Sequence, residues 1–387
     1  MQRVLVIADD LTGAAEMAGV AWRAGFPVQL LTGNTEPPGN ARIQVVNSDS
    51  RNCTPEEAAS RIGSILTHFS PGSDFLIFKK TDSLLRGVIV PEILSVLECS
   101  TYNRALLVPA NPSRNRFIRQ GRYYIGDYPI SETFYRSDPE FPRSAAEVRM
   151  LANDSAGEIT TVHGRWKGNR HRILVPDTDS EVQIRTLVRE QLDPKVLPAG
   201  GADFFRIILE EWFAGSGVPE KSEPRYPRHQ CCLIGSFTGS SEEHVKVLSE
   251  HGFSITDMDN RAYGIIPDIK NDAGMLDLLR TRDRIALRSS SEYIPDEARR
   301  KKLLTELTNL GARMAGQVSF PVHFLVTGGR TASLFCRRLQ WNRLEIRHVE
   351  KEGVVTMQHP GSPHFITLKP GSYPWPEKLV KHTPGKI

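Results

Sequence analysis

The chain has 387 residues, enough for two or three domains at roughly 100–200 residues each, and its 39% hydrophobic content with 30 glycines excludes disordered and fibrous classes. Forty-nine basic against 45 acidic residues leave a formal charge of +4, which suits a small anionic substrate and falls short of the clustered basic footprint that nucleic acid requires. Five cysteines without C-x-x-C spacing argue against a disulfide framework and a structural zinc site. Only residues 4–8 form an N-terminal apolar run, and no run reaches 18 residues, so the expectation is a soluble cytoplasmic protein with no membrane partner.

In chain order, short β-branched runs alternate with helical stretches. Residues 4–8 predict a strand, 14–23 a helix, 28–31 and 43–47 strands, and 54–68 a helix. Thr54, Pro55 and Glu57 supply that helix with a capping box and a proline at its first position. Residues 75–79 predict the next strand, followed by a helix through Ile93 and Leu97 and a strand over 105–108. Continuously apolar strands alternating with helices predict a parallel sheet covered on both faces. Residues 111–146, rich in Arg, Tyr, Pro and Asp with little periodicity, read as a long functional excursion. A strand over 173–175 and a helix over 181–191 follow. The segment GSGVPEKSEPRYP over 215–227 marks a boundary, which predicts a two-domain α/β protein divided as 1–214, a hinge over 215–229, and 230–387. The second half restarts with a strand over 231–234 and a helix opened by a capping box, Ser240-Ser241-Glu242-Glu243. A strand over 284–287, a charged amphipathic helix over 295–314 and a buried strand over 324–326 follow. That strand ends in Thr327-Gly328-Gly329, and a helix over 331–339 comes next.

Ligands of open α/β sheets bind beyond the carboxyl ends of the strands. The loops expected there are Ala8-Asp9-Asp10-Leu11-Thr12-Gly13, Asn47-Ser48-Asp49-Ser50-Arg51, the stretch from Lys79 to Gly87, and Pro109-Ala110-Asn111-Pro112. Singly, each has a bland reading: Asp10 would cap the next helix, and Lys79, Lys80, Arg51 and Arg86 would be solvated. Their convergence on one edge favours chemistry, with two arginines to clamp a carboxylate and an aspartate to act as general base toward an alcohol. In the second half, Thr327-Gly328-Gly329-Arg330-Thr331-Ala332 suits an anion, because glycines let backbone N–H groups approach it and a helix N-terminus favours negative charge. Ser236 and the stretch Lys369-Pro370-Gly371-Ser372 would add contacts. No G-x-x-x-x-G-K-[ST], complete G-x-G-x-x-G, H-E-x-x-H or G-x-S-x-G element is present, and metal ligands stay unassigned.

These motifs resemble the four-carbon acid sugar kinases, which phosphorylate threonate, erythronate and related acids with ATP. ADDLTGA at 8–14, KKTDSLLRG at 79–87, PANP at 109–112, ETFYRSDPEFP at 132–142 and VTGGRTA at 326–332 carry the resemblance. It spans nearly the whole chain, and the KKTDS form is closer to the threonate and erythronate branch than to the 3-oxo-tetronate branch. The resemblance implies an N-terminal acid-sugar domain and a C-terminal ATP domain. It places Asp10, Arg51, Lys80, Asp82 and Arg86 against the sugar acid, and Ser236, the turn Gly328, Gly329, Arg330 and Thr331, and Gly371 against ATP. The chain departs from the family pattern at Arg330, where Asp or Glu is usual, at Leu84 in place of Thr, at Asn115 where Gly is common, and in the stretch 369–374.

The resulting expectation is an ATP-dependent, Mg²⁺-requiring kinase. Arg51, Arg86 and Asn111 would bind the acid, Asp10 or Asp82 would take the hydroxyl proton, and Lys80 would neutralise developing phosphate charge, with domain closure excluding water. A sensor with a decayed ATP site is the alternative that Arg330 suggests. A Mg²⁺-dependent phosphatase built on Asp9 and Asp10 is disfavoured, because adjacent strand residues point to opposite faces. The partners expected are a sugar acid and ATP, without nucleic acid, and homo-oligomerisation stays open.

Overall fold

A computed structural model of the chain describes residues 3–33, 41–70, 75–138, 141–154, 157–162, 171–213, 224–235, 240–258, 272–292, 294–350, 353–371 and 374–381. The chain divides into two compact units, Met1–Glu220 and Lys221–Ile387.

The first unit contains the strands β1 (Arg3–Ala8), β2 (Val28–Leu31), β3 (Ile43–Asn47), β4 (Phe75–Lys80), β5 (Arg104–Val108), β6 (Arg116–Arg119), β7 (Arg122–Ile125), β8 (Tyr128–Pro129), β9 (Ile159–Val162), β10 (Ile173–Pro176) and β11 (Val196–Gly200). Eight of them pair in the order β2-β3-β1-β4-β11-β5-β10-β9, every ladder parallel. Val4, Leu5, Val6, Ile7 and Ala8 are completely buried, as a strand covered on both faces requires. The helices are α1 (Leu11–Arg23), α2 (Pro55–Phe69), α3 (Ile89–Glu98), the short α4 (Val148–Leu151), α5 (Glu181–Gln191) and α6 (Ala202–Trp212). Helix α1 packs on α6, and α6 on α5, while α2 packs on α3. The first helix starts three residues earlier than its apolar periodicity predicts, because the Asp10 side chain caps it by accepting from Gly13 N. The predicted capping box of α2 is present, with Thr54 Oγ1 accepting from Glu57 N and Glu57 Oε2 accepting from Thr54 N.

The 111–146 excursion is more ordered than its composition predicts, since β6, β7 and β8 form a separate antiparallel sheet. Its first hairpin turns on Gln120 and Gly121, both at positive φ, the geometry of a two-residue type I′ turn. Glutamine is a poor signal for that turn. Asp177 compensates, its carboxylate accepting from both turn amides at 2.7 and 3.0 Å.

In the second unit, β12 (His229–Ile234), β13 (Ser254–Asp257), β14 (Arg284–Arg288), β15 (Val322–Thr327), β16 (Arg343–Val349), β17 (Val355–Gln358) and β18 (Phe365–Lys369) pair in the order β13-β14-β12-β15-β18-β17-β16. The first five run parallel and the last two ladders antiparallel. Its helices are α7 (Ser240–Glu250), α8 (Asp272–Arg282), α9 (Glu297–Gln317), α10 (Gly329–Arg338) and α11 (Glu377–Val380). Ser240 lies inside α7 rather than at its cap, and the residues before it, including Ser236, lie outside the described residues.

Strands β11 and β5 meet closely at their carboxyl ends. Gly200 has φ +148°, and a Cβ there would lie 2.1 Å from the Val108 carbonyl oxygen. Gly200→Ala is therefore expected to destabilise the protein by about 2–4 kcal/mol, a fall of several degrees in Tm. An unchanged calorimetric melting temperature would contradict this close approach.

Candidate active site

The order of the strands places a crevice between β1 and β4. From β1 the chain winds through α1 toward β2 on one side, and from β4 it winds through α3 toward β5 on the other. Right-handed crossovers in opposite directions put α1 and α3 on opposite faces, which opens the carboxyl edge between the two strands. Two neighbouring lysines mark the divergence. Lys79 Nζ lies 3.1 Å from Glu92 Oε2 on α3, and Lys80 Nζ lies 3.5 Å from Glu16 Oε2 on α1.

Backbone bonds bring the loop after β3 to this edge. Ser48 N donates to Ala8 O, and Ser50 N and Arg51 N both donate to Asp9 O. Arg51 thereby reaches across the end of β1. Its Nε and Nη2 donate to the two oxygens of Asp9 at 2.8 and 3.1 Å, and its Nη1 donates to Asp10 Oδ2 at 2.6 Å. Its Nη2 also lies 3.3 Å from Asp82 Oδ1. Asp9 and Asp10 thus converge on one partner, contrary to the expectation that they point apart. The alternation of a strand does not apply to them, because β1 ends at Ala8.

Arg86 completes the cluster, with Nε and Nη2 each donating to Asp82 at 2.9 Å, while Leu84 N donates to Asp82 Oδ2. The side chain of Leu84, the residue standing in for Thr, is buried. Burial opposes ionisation of Asp82, but Arg86 and Arg51 outweigh it and hold its carboxyl well below the usual carboxylate range. Asp9 is likewise lowered, Arg51 outweighing the desolvation. Asp10 differs: burial dominates over Arg51, helped by the charge of Asp9, and raises its carboxyl. Asp10 is also the more accessible of the adjacent pair, its side chain 17% exposed against 2% for Asp9.

Several residues here carry no signal in the sequence. Glu16 binds Arg114 Nη1 at 2.7 Å besides Lys80, Ser50 Oγ donates to the buried Glu92, and Arg116 Nη1 donates to Ser83 Oγ. Asn111 serves the fold with one end, its Oδ1 accepting from Asp203 N at the start of α6, while its Nδ2 is buried without a hydrogen-bond partner. Asn115 stands where glycine is common because φ is +54° there, a region asparagine tolerates better than most residues.

In the second unit, β15 leads into α10 through Gly328, which has φ +88° and gives that helix no side-chain cap. Gly328 N donates to Lys369 O at the end of β18. A Cβ at Gly235, just beyond β12, would lie 2.2 Å from Thr331 Oγ1, so glycine lets the α10 turn close onto the end of β12. Thr327 Oγ1 and Ser289 Oγ, at the ends of β15 and β14, are buried without hydrogen-bond partners. The serine run over 289–291 after an apolar strand was the available signal for Ser289. Gly371 O accepts from Lys369 Nζ, and burial pushes the Lys369 ammonium down to about 8. Arg330 is exposed. It adds to the field of Lys301, whose hydrogen bond and charge lower the Glu297 carboxyl. Gly329 begins α10, and Ser236 lies outside the described residues.

The site carboxylates do not fit a protein-held Mg²⁺. Asp9, Asp10 and Asp82 all face the Arg51 guanidinium, and among the described residues no group of three His, Cys, Asp or Glu converges to hold an ion.

Asp82→Asn is expected to cost about 2–4 kcal/mol at neutral pH, because it takes a buried carboxylate from two partly buried arginines, leaving Arg51 with Asp9 and Asp10. The native carboxyl is lowered, so its contribution is fully present above the ordinary aspartate value of about 3.9 and fades as pH falls below it. Urea unfolding of both proteins at neutral pH and near pH 3 would measure this, and a gap that widened on acidification would refute the ion-pair assignment.

Residues 4–204, just over half of the chain, match the family model of a sugar-binding N-terminal domain. The chain is 27% identical over 227 residues to a D-threonate kinase of Bordetella bronchiseptica, covering 55% of this chain and 56% of that protein. It is 32% identical over 148 residues to a D-erythronate kinase of Heliobacterium modesticaldum, covering 37% and 34%. A 3-oxo-tetronate kinase of Salmonella typhimurium is 21% identical over 416 residues, covering 96% of each. The chain spans about half or less of the length of the first curated relatives it matches. In fold it is similar to a crystallised Haemophilus influenzae protein, with TM-score 0.71, 18% identity and coverage of 95% of this chain and 96% of that one. The switch-point cluster thus lies within a sugar-binding domain, and the chain belongs to the four-carbon acid sugar kinase family.

Proposed function

We propose that this protein is an ATP-dependent kinase that phosphorylates a hydroxyl of a four-carbon sugar acid of the threonate or erythronate type. The observation that carries the reading is the contrast between Asp10 and Asp82 around one guanidinium. A general base must be reachable and must hold its proton strongly enough to draw it from an alcohol. Asp10 is partly exposed and its carboxyl is raised by burial. Asp82 is clamped by Arg86 and lowered, so its work is to orient Arg86 and Arg51. Arg86, 30% exposed, is the fork for the carboxylate of the acid. Lys80, beside Glu16, brings positive charge to the phosphoryl group. Phosphoryl transfer asks the protein mainly for such positioning and charge stabilisation.

The nucleotide belongs, in this reading, to the α10 turn of the second unit, with Gly328, Gly329, Arg330, Thr331 and Gly371 around it. Mg²⁺ enters with its phosphates rather than as a resident ion. A cytoplasmic site suits an ATP-dependent enzyme whose five cysteines are all free. Among the described residues no helix is long and apolar enough to cross a membrane.

An ATP-consumption screen against D- and L-threonate, D- and L-erythronate and their oxo analogues tests the proposal. Turnover with at least one acid is expected, and silence from folded protein would overturn it. Asp10→Asn should keep acid binding while lowering the chemical rate about 10²–10⁴-fold. In the native enzyme the rate should fall as pH drops through a value above the ordinary aspartate value of about 3.9, because the base works deprotonated. Loss of turnover in Asp82→Asn with a normal Asp10→Asn would exchange the roles.

Arg330 is the feature that favours the second reading, an acid-sugar sensor with a decayed ATP site. In a working site, Arg330→Ala should weaken ATP more than ADP, because the γ-phosphate adds charge for the guanidinium to meet. Calorimetry showing acid binding without ATP binding in the native protein would select the sensor.

A further inference from the structure

The loop after β4 is held in an unfavourable conformation, and its restraints come from the excursion over 111–146. Leu85 is a fully buried leucine at φ +57°, a region bulky side chains avoid, and Gly87 follows at φ +93°. Local bonds to Asp82 shape the turn: Leu85 N donates to its carbonyl, and Leu84 N and Arg86 N to its carboxylate. The remaining bonds are distant in sequence. Tyr123 on β7 is completely buried, and its hydroxyl donates to Ser83 O. Arg143, also buried, reaches with Nη1 to Leu85 O at 3.5 Å and to Leu151 O at 3.1 Å, while its Nε donates to Phe141 O at 3.0 Å. A strained turn persists where its surroundings over-determine it.

We propose that Tyr123 and Arg143 are positioning residues of the acid-sugar site, acting through the carbonyls of Ser83 and Leu85 to fix where Ser83, Asp82 and Arg86 stand. The proposal rests on the kinase reading for its kinetics but not for its geometry. Neither side chain is needed to touch the substrate. The excursion thereby becomes the part of the first unit that sets how accurately the Arg86 fork meets the acid. A small displacement of a positioned group is costly in catalysis, reaching about 10²-fold for about 1 Å.

Tyr123→Phe and Arg143→Lys test this in the full chain, with Tyr124→Phe, on the same strand, as the control. Tyr123→Phe removes one hydroxyl and keeps the ring; lysine keeps the charge at 143 but lacks the planar fork that serves several carbonyls. Both variants should speed amide hydrogen exchange at Leu84, Leu85 and Arg86. With the acid that the native enzyme phosphorylates, both should raise the acid KM about ten-fold or more, leaving the ATP KM and the control unchanged. Unchanged exchange at the three amides would overturn the proposal. So would faster exchange with an unchanged acid KM, or a rise in acid KM matched by the control. If the native enzyme phosphorylates no acid, the kinase reading fails, and the exchange measurement still decides whether these two residues hold the loop.

Discussion

Everything at the edge of the first sheet depends on Arg51 meeting three carboxylates. At an effective dielectric of about 20, two like charges about 4 Å apart repel by about 4 kcal/mol, so Asp9, Asp10 and Asp82 could not stand ionised together without it. Arg51 comes from the loop after β3, two of the aspartates from the end of β1 and the third from the loop after β4. A single guanidinium therefore ties three adjacent strand ends. Arg86 supplies a second positive charge but delivers it to Asp82. Asp10 is the one of the three whose carboxyl is raised, because its burial outweighs Arg51 and the charge of Asp9 adds to it, which is the state that the proposed role of proton acceptor needs.

The two lysines at the end of β4 extend the same logic into both helical layers. Lys79 is wholly buried and pairs with Glu92, which is also buried. Taking such a pair out of water is expensive, and its net contribution to stability is small or negative, although removing one partner is strongly destabilising. What the pair does supply is direction: Lys79 can point only toward α3, which leaves Lys80 on the α1 side beside Glu16 and Arg114. Register at this strand end is thereby fixed, since a one-residue slip would exchange the two lysines between faces.

How much of this was legible follows from where each signal resides. The strands over 28–31 and 43–47 and the helix over 181–191 match the structure at both ends, because apolar runs with clear flanking signals are local properties. Asp10, Arg51, Lys80, Asp82 and Arg86 could be nominated because they follow such strands, and all five meet at one crevice. Strand β11 carried a contrary signal, since Pro198 within it argues against a central strand. The hairpin at Gln120 was hidden because its amides are satisfied by Asp177, 57 residues away. Glu16, Glu92, Arg114 and Arg116 have ordinary local contexts and gain their roles only when the helices and the 111–146 excursion dock.

The two units treat the same strand-to-helix turn in opposite ways, and that difference supports the proposed division of the substrates between them. At α1 the turn supplies its own anion: Asp10 caps the helix through Gly13 N and is held there by Arg51. A second anion brought to that N-terminus would meet a carboxylate already in place, so the positive end of the helix is taken by Asp10. At α10 the cap is Gly328, which has no side chain to offer. The partial positive charge of that helix end, a favourable place for negative charge, is left without a carboxylate from its own cap. Gly328 N is committed to Lys369 O, which fixes the turn against the end of β18. A helix end capped by glycine and braced from the neighbouring strand is suited to phosphate, whereas one filled by aspartate is suited to deprotonating an alcohol.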